Sequence, residues 1–173
     1  MKAIGYAAPG GPEVLQDIEV PVPAPGPRDI LVRVEAISVN PVDAKVRAAA
    51  TPADGAPRIL GWDAAGVVEA VGSEATLFAP GDEVWYAGDV TRAGANSERH
   101  LVDERIAAKK PASLGWADAA ALPLTAITAW ELLFDRLGVP VGRKTQGGTL
   151  LVVNGAGGVG SILIQLARRL TGL

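Results

Sequence analysis

A mixed β and α/β chain is the fold class the sequence predicts, with an irregular β-barrel or β-roll first and one strand–turn–helix unit last. Three observations carry this. Over roughly the first hundred residues, apolar runs of strand length are separated by Gly and Pro, as in irregular all-β domains. After Pro111 the texture turns alanine-rich and helical. From Leu150, "LLVVNGAGGVGSILIQLARRL" runs from a solid apolar stretch through spaced glycines into helical spacing, the pattern of a buried strand followed by a helix.

In chain order, "KAIGYAA", "VLQDIEV", "DILVRVEAISVN", "GWDAAGVVEAVG", "GDEVWYAG" and "ERHLVDERIAAK" read as strands. The segment "PVPAPGP" at 21–27 cannot join a ladder, because proline lacks the N–H, and reads as an extended surface loop. A short helix is expected over 42–49. In "SLGWADAAALP", Ser113 is the expected N-cap, with Asp118 near the positive end of its helix. In "LTAITAWELLFDRLG", Leu124, Ile127, Leu132 and Leu133 give one apolar side, and Gly138 with Pro140 ends the helix. "VGRKTQGG" reads as a polar loop and "TLLVVN" as a buried strand. Placing a boundary at Pro123 gives a β-rich domain over 1–122 and a helix plus strand–turn–helix unit over 123–173.

Composition narrows the function. Of 173 residues, 49% are hydrophobic and 20% charged, so a packed core is expected rather than disorder. The formal net charge is −3 and no Lys/Arg-rich run occurs, so neither nucleic acid nor an anionic membrane is the expected partner; a small organic molecule is. There is no cysteine and one histidine, His100, which removes disulfides and Cys-type zinc sites. No signal-peptide core follows the N-terminus, so a cytoplasmic location is expected. The apolar stretch 149–167 has the length of a membrane span, but Asn154, Gln165 and its glycines argue against lipid.

Gly155, Gly157 and Gly160 satisfy G-x-G-x-x-G. With 21 glycines in the chain, the spacing alone is weak, and its context supplies the strength. The motif directly follows an apolar strand pattern and directly opens an amphipathic helix, as the phosphate-binding turn of a Rossmann fold requires. One glycine makes the tight turn, one admits the pyrophosphate to backbone N–H groups, and one lets helix and strand pack closely. Gly155, Ala156, Gly157, Gly158, Val159 and Gly160 are therefore the candidate cofactor-binding residues. The acidic or basic residue that reads the ribose, roughly twenty positions further on, falls outside the sequence, so NAD and NADP are not distinguished.

"ISVNPVDAKVR", "GWDAAGVVEAVG", "PGDEVWYAG", "AAALPLTAITAWELLFDRL" and "VNGAGGVGS" together resemble the medium-chain dehydrogenase/reductase superfamily, in its zinc-type alcohol dehydrogenase-like and quinone oxidoreductase branch. The resemblance implies a GroES-like first domain followed by the first βα unit of a Rossmann fold. Members are about twice this long, so the chain is expected to be an N-terminal portion, homo-oligomeric and without turnover alone. The implied activity is NAD(P)H-dependent reduction of quinones or activated alkenes and carbonyls, with NADP ahead of NAD. Zinc members carry a cysteine where this chain has Asn40 and a His-Glu pair where it has Trp62-Asp63, so no zinc and no metal ligand is expected. Asn40 then either donates to the developing substrate oxygen or only caps the turn before Pro41. Thr128 is implied to lie near the nicotinamide, or else bonds the preceding helical turn. Tyr86 either faces the cleft or is a core residue. Asp43 either pairs with Lys45 or Arg47 or orients its loop, and His100 is expected at the surface or rim. The alternatives are a non-catalytic GroES-like interaction module or truncated product, and a zinc alcohol dehydrogenase with carboxylate ligands.

Overall fold

The computed structural model describes residues 1–53, 55–142 and 148–173. The chain divides into two compact units, Met1–Pro123 and Leu124–Leu173.

The first unit contains β1 (Lys2–Tyr6), β2 (Gln16–Glu19), β3 (Asp29–Ser38), α1 (Pro41–Ala49), β4 (Arg58–Ile59), β5 (Asp63–Val71), β6 (Glu83–Ala87), β7 (Arg99–Asp103), β8 (Ala107–Lys109) and α2 (Trp116–Ala120). Its strands form two open antiparallel sheets, ordered β2-β1-β4 and β7-β3-β5-β6-β8. The predicted barrel or roll is thus realised as two sheets, and the segment before β7 straps them together. Gly94 and Ala95 donate to the Ile59 and Gly61 carbonyls, and Ile4 donates to Asn96 O at 2.8 Å.

The larger sheet is covered on both faces. Ile30, Val32, Ala64, Val68, Val84, Tyr86 and Val102 bury one side, while α2 lays Ala119 and Ala120 against Ala65 on the other. Alanine at these contacts lets helix and sheet approach closely, which explains why β5 reads as a nearly unbroken small apolar run. α2 corrects one expectation: its N-cap is Gly115, because residues 111–114 close a turn of their own, with Leu114 N donating to Pro111 O.

The pairing of β3 with β5 runs from Ile30↔Val71 to Ser38↔Asp63, with register shifts at Leu31/Val32 and Val34/Ala36. Bulges of this kind bend a strand and re-aim its side chains. Gly66, opposite Val34, lies at the second shift, and a Cβ there would collide with the Arg33 carbonyl oxygen. Two acids, the half-buried Asp29 and the buried Glu104, anchor the other end of β3. Asp29 takes both guanidinium nitrogens of Arg92 at 2.8 Å. Glu104, fully buried, accepts from Leu77 N, Thr76 N and Arg28 Nη1, and these bonds hold its carboxyl below the usual range.

In the second unit, α3 (Pro123–Trp130) continues into a π-helical turn, Glu131–Arg136, and α4 (Gly158–Leu170) follows the glycines. The buried face of the first helix differs from the expected one. Ala129 and Leu133, four residues apart, are buried, whereas Ile127 and Leu132 are exposed. A π turn winds wider than an α turn, and it carries Leu132 off the apolar side. α4 begins at Gly158, inside the glycine motif, and buries Gly160, Leu163 and Ala167 at helical spacing.

The predicted strand "TLLVVN" is not formed. Its residues belong to no ladder among the described residues, and Leu151 and Val153 are each 84% exposed. A strand exists only through the hydrogen bonds of a neighbour, so a strand-like sequence without one forms no strand. The polar loop expected at 141–148 lies largely outside the described residues. Among the described residues, no helix is long and apolar enough to cross a membrane.

Gly66→Ala should cost the first unit about 1–3 kcal/mol by forcing β3 and β5 apart. A urea midpoint equal to that of the parent would show that the sheet accommodates the methyl group.

Candidate active site

The β3–β5 register brings the end of one strand beside the start of the other, and the candidate residues lie just beyond that junction. Pro41 opens α1, where its missing N–H costs nothing, and Asn40 is the N-cap. Asp43 turns back from the first helical turn. Its Oδ2 accepts from Asn40 N at 2.8 Å and its Oδ1 from Gly61 N at 3.0 Å. Asn40 Nδ2 donates to Asp63 Oδ2 at 2.8 Å. All three side chains are buried, Asp63 completely.

Asn40 thus stands at the cap position before Pro41, and its side-chain amide is engaged with Asp63. The pairing of Asp43 with Lys45 or Arg47 is not observed. Asp43 orients the loop, and Arg47 Nε donates to Gly10 O at 3.2 Å. Trp62 is buried among Tyr6, Leu60, Val14, Leu15, Val42 and Val46, with Nε1 donating to Asp89 O at 3.0 Å. Zinc takes thiolate, imidazole or carboxylate ligands. At positions 40, 62 and 63 the amide and indole nitrogens are both donors and only Asp63 is a carboxylate, while both oxygens of the neighbouring Asp43 are taken by backbone N–H groups, so this donor set does not fit a zinc centre. Among the described residues there is no group of three His, Cys, Asp or Glu placed to hold a metal.

Tyr86 is a core residue of β6, and its ring stacks on His100 at 5.5 Å between centroids. This corrects the expected surface position of His100, which is 4% exposed. His100 is on β7 opposite Val32 and faces the same core as Val32 and Tyr86. Its Nε2 lies 2.9 Å from Ala93 O and its Nδ1 lies 3.0 Å from the Tyr86 hydroxyl. The carbonyl can only accept, so Nε2 carries the proton and Nδ1 accepts from Tyr86. Burial pushes the Tyr86 phenol up and the His100 imidazole down, the latter to about 4.

The glycine turn forms a separate site in the second unit. Asn154 adopts φ 61°, a left-handed conformation that Asn tolerates better than most residues, and its carbonyl accepts from Gly157 N at 3.0 Å. Gly157 is the N-cap of α4. A Cβ at Gly160 would lie 2.6 Å from Asn154 O and 2.8 Å from Gly155 Cα, so the helix packs onto the turn only because that position is bare. Gly155 and Val159 are half-buried, whereas Ala156 and Gly158 are exposed. Thr128 is exposed, and its hydroxyl donates to Leu124 O at 2.8 Å, the local bond anticipated as its second reading. The threonine that borders the turn is Thr125, whose Cγ2 would stand 3.1 Å from a Cβ at Gly158. Sequence reasoning named Asn154 and Asp63 but gave neither a role in a site. An Asn before the first glycine and an acid opening an apolar strand were the available signals.

The sequence profile described as the alcohol dehydrogenase GroES-like domain matches residues 26–117. The zinc-type alcohol dehydrogenase-like protein of Staphylococcus aureus (strain COL) is 46% identical over 173 residues, covering 98% of this chain and 51% of that protein. A crystal structure from Rhizobium etli CFN 42, of a protein provisionally assigned as a zinc-dependent alcohol dehydrogenase, superposes with TM-score 0.92 at 54% identity, covering 100% of this chain and 51% of that one. Escherichia coli quinone oxidoreductase complexed with NADPH superposes with TM-score 0.80 at 33% identity, covering 99% of this chain and 50% of that one. The chain spans about half the length of the curated relatives it matches.

His100 has a measurable consequence. The unfolded chain binds a proton near pH 6.5 and the folded chain only near 4, so stability is full above the first value and falls as pH drops toward the second. The loss should approach about 3 kcal/mol. Urea midpoints recorded from pH 7 to 4 should fall less steeply for His100→Gln, and equal slopes would remove His100 as their source.

Proposed function

The chain belongs to the alcohol dehydrogenase GroES-like domain family, and on that premise we propose that it carries part of an NAD(P)H-dependent, zinc-independent oxidoreductase that reduces quinones or activated alkenes. The observation that carries the reading is the Asn40–Asp63 bond. An amide nitrogen has two hydrogens; one is given to Asp63, and the other is offered to the substrate oxygen. As hydride reaches the electrophilic carbon, charge grows on that oxygen, and a donor already fixed in place stabilises it without reorganising. Asp63 keeps the amide from flipping, and solvent supplies the proton.

The turn at 155–160 suits a dinucleotide, because bare Gly157 leaves backbone N–H groups open to a pyrophosphate. The bound nicotinamide would supply the hydride. The complex of the Escherichia coli neighbour with NADPH supports a nicotinamide cofactor, and NADP is put ahead of NAD by the family resemblance alone. Thr128, with its proton given to Leu124, keeps its oxygen lone pairs for a cofactor group. Tyr86 receives no chemical role, since its hydroxyl is engaged in the core. A small-molecule substrate and a homo-oligomeric assembly complete the reading. Trp62 and Asn40 stand against a zinc-dependent reaction despite the names of the relatives.

Adding NADPH should shift the amide resonances of residues 155–160, and Gly157→Val should weaken binding about tenfold or more, a cost of at least 1.4 kcal/mol. Only the Asn154 side chain stands close to a Cβ at Gly157, at 2.9 Å, so the fold should survive the substitution. Shifts confined to other residues, or an unchanged affinity by calorimetry, would refute the assignment. Elemental analysis should find no stoichiometric zinc, and melting should be the same in EDTA. One tightly held zinc per chain would overturn the metal-free mechanism.

A further inference from the structure

We propose that Asp43 is the positioning residue of the Asn40 site, one carboxylate that holds the backbone of both segments from which the Asn40–Asp63 pair is built. The inference rests on the reading of Asn40 as the substrate-side donor and extends it to what aims that donor.

Asp63 is fixed by the sheet, where it pairs with Ser38 and Ala87, but the backbone on either side of it, at Asn40 and at Gly61, is not. Asn40 lies beyond the last paired residue of β3, Ser38, and Gly61 lies before the first paired residue of β5, Asp63. Each is therefore outside the β3–β5 ladder. Asp43 supplies the missing connection. Its two oxygens are divided, Oδ2 to Asn40 N and Oδ1 to Gly61 N, at 2.8 and 3.0 Å. The carboxylate is 6% exposed, so water competes poorly for either bond.

The side chain is also held at its base. Asp43 N donates to Asn40 O at 3.0 Å, so residues 40–43 form a closed turn at the start of α1. Gly61 in turn accepts from Ala95 N, and the Asn96 side chain packs against its bare Cα. The carboxylate thus ties a helical turn to a backbone segment that is braced from behind. A shift of Asp43 would move Asn40 relative to Asp63, and the 2.8 Å bond between them would lengthen. An asparagine at 43 could accept only one of the two N–H groups and would turn a donor toward the other.

Nuclear magnetic resonance on the 173-residue chain tests this. In the parent, couplings across hydrogen bonds should link Asp43 Cγ to the amide nitrogens of both Asn40 and Gly61, and absence of either coupling overturns the proposal without any variant. In Asp43→Asn and Asp43→Ala, the Asn40 side-chain amide should lose its separated proton shifts and exchange at least tenfold faster, while the Tyr86 and His100 signals stay unchanged. An Asn40 amide unaltered in a variant whose core signals are intact also overturns it. The underlying reading fails separately: if 2-cyclohexen-1-one leaves the parent's Asn40 amide unmoved, Asn40 is not the substrate donor, yet the couplings still establish the clamp.

Discussion

The antiparallel register of β3 on β5 is the constraint from which the first unit follows. It places Ser38 opposite Asp63 and so delivers the start of α1 to the start of β5. A slip of one residue would turn Ile30 and Val32 away from the core and separate Asn40 from Asp63. The two register shifts let so long a pair bend while keeping its apolar side chains on the buried faces. Core packing and site geometry are in this sense one property.

Buried carboxylates do the joining elsewhere too. Glu104 gathers Leu77 N, Thr76 N and the Arg28 guanidinium, and Asp43 gathers Asn40 N and Gly61 N. In each case an acid on one element satisfies backbone donors on others that have no ladder partner of their own. Such bonds are stronger than neutral ones and directional, which suits them to loops that apolar contact alone would leave loosely placed. The larger sheet is thus closed at its ends by charge and through its middle by alanine, valine and isoleucine.

Much of this was legible in the sequence, for physical reasons that differ by element. The strands and their Gly/Pro punctuation were readable because a period of two and a missing N–H are local properties. The glycine turn was readable because a bare Gly160 is demanded by backbone packed directly on backbone. His100 was misread because its partners, Tyr86 and Ala93, are assembled by the sheet rather than by sequence proximity. "TLLVVN" was misread for the opposite reason: its composition is that of a strand, but ladder bonds come from a neighbour. Leu132 was misplaced because of the π turn, which no residue of "ELLFDR" announces. The role of Asp43 was half-visible, since an acid three residues after an N-cap is a familiar helix-start signal. Its second bond, to Gly61, depends on tertiary structure.

The bare side chains of Leu151 and Val153 bear on colloidal behaviour. They stand two residues apart in an uncharged stretch, while the 173-residue chain carries a formal charge of only −3. Long-range repulsion between molecules is then weak, and at physiological salt it is screened beyond about 8 Å. A charge introduced at Leu151 or Val153 should therefore raise the solubility of the 173-residue chain, because it sets like charge on an exposed apolar stretch.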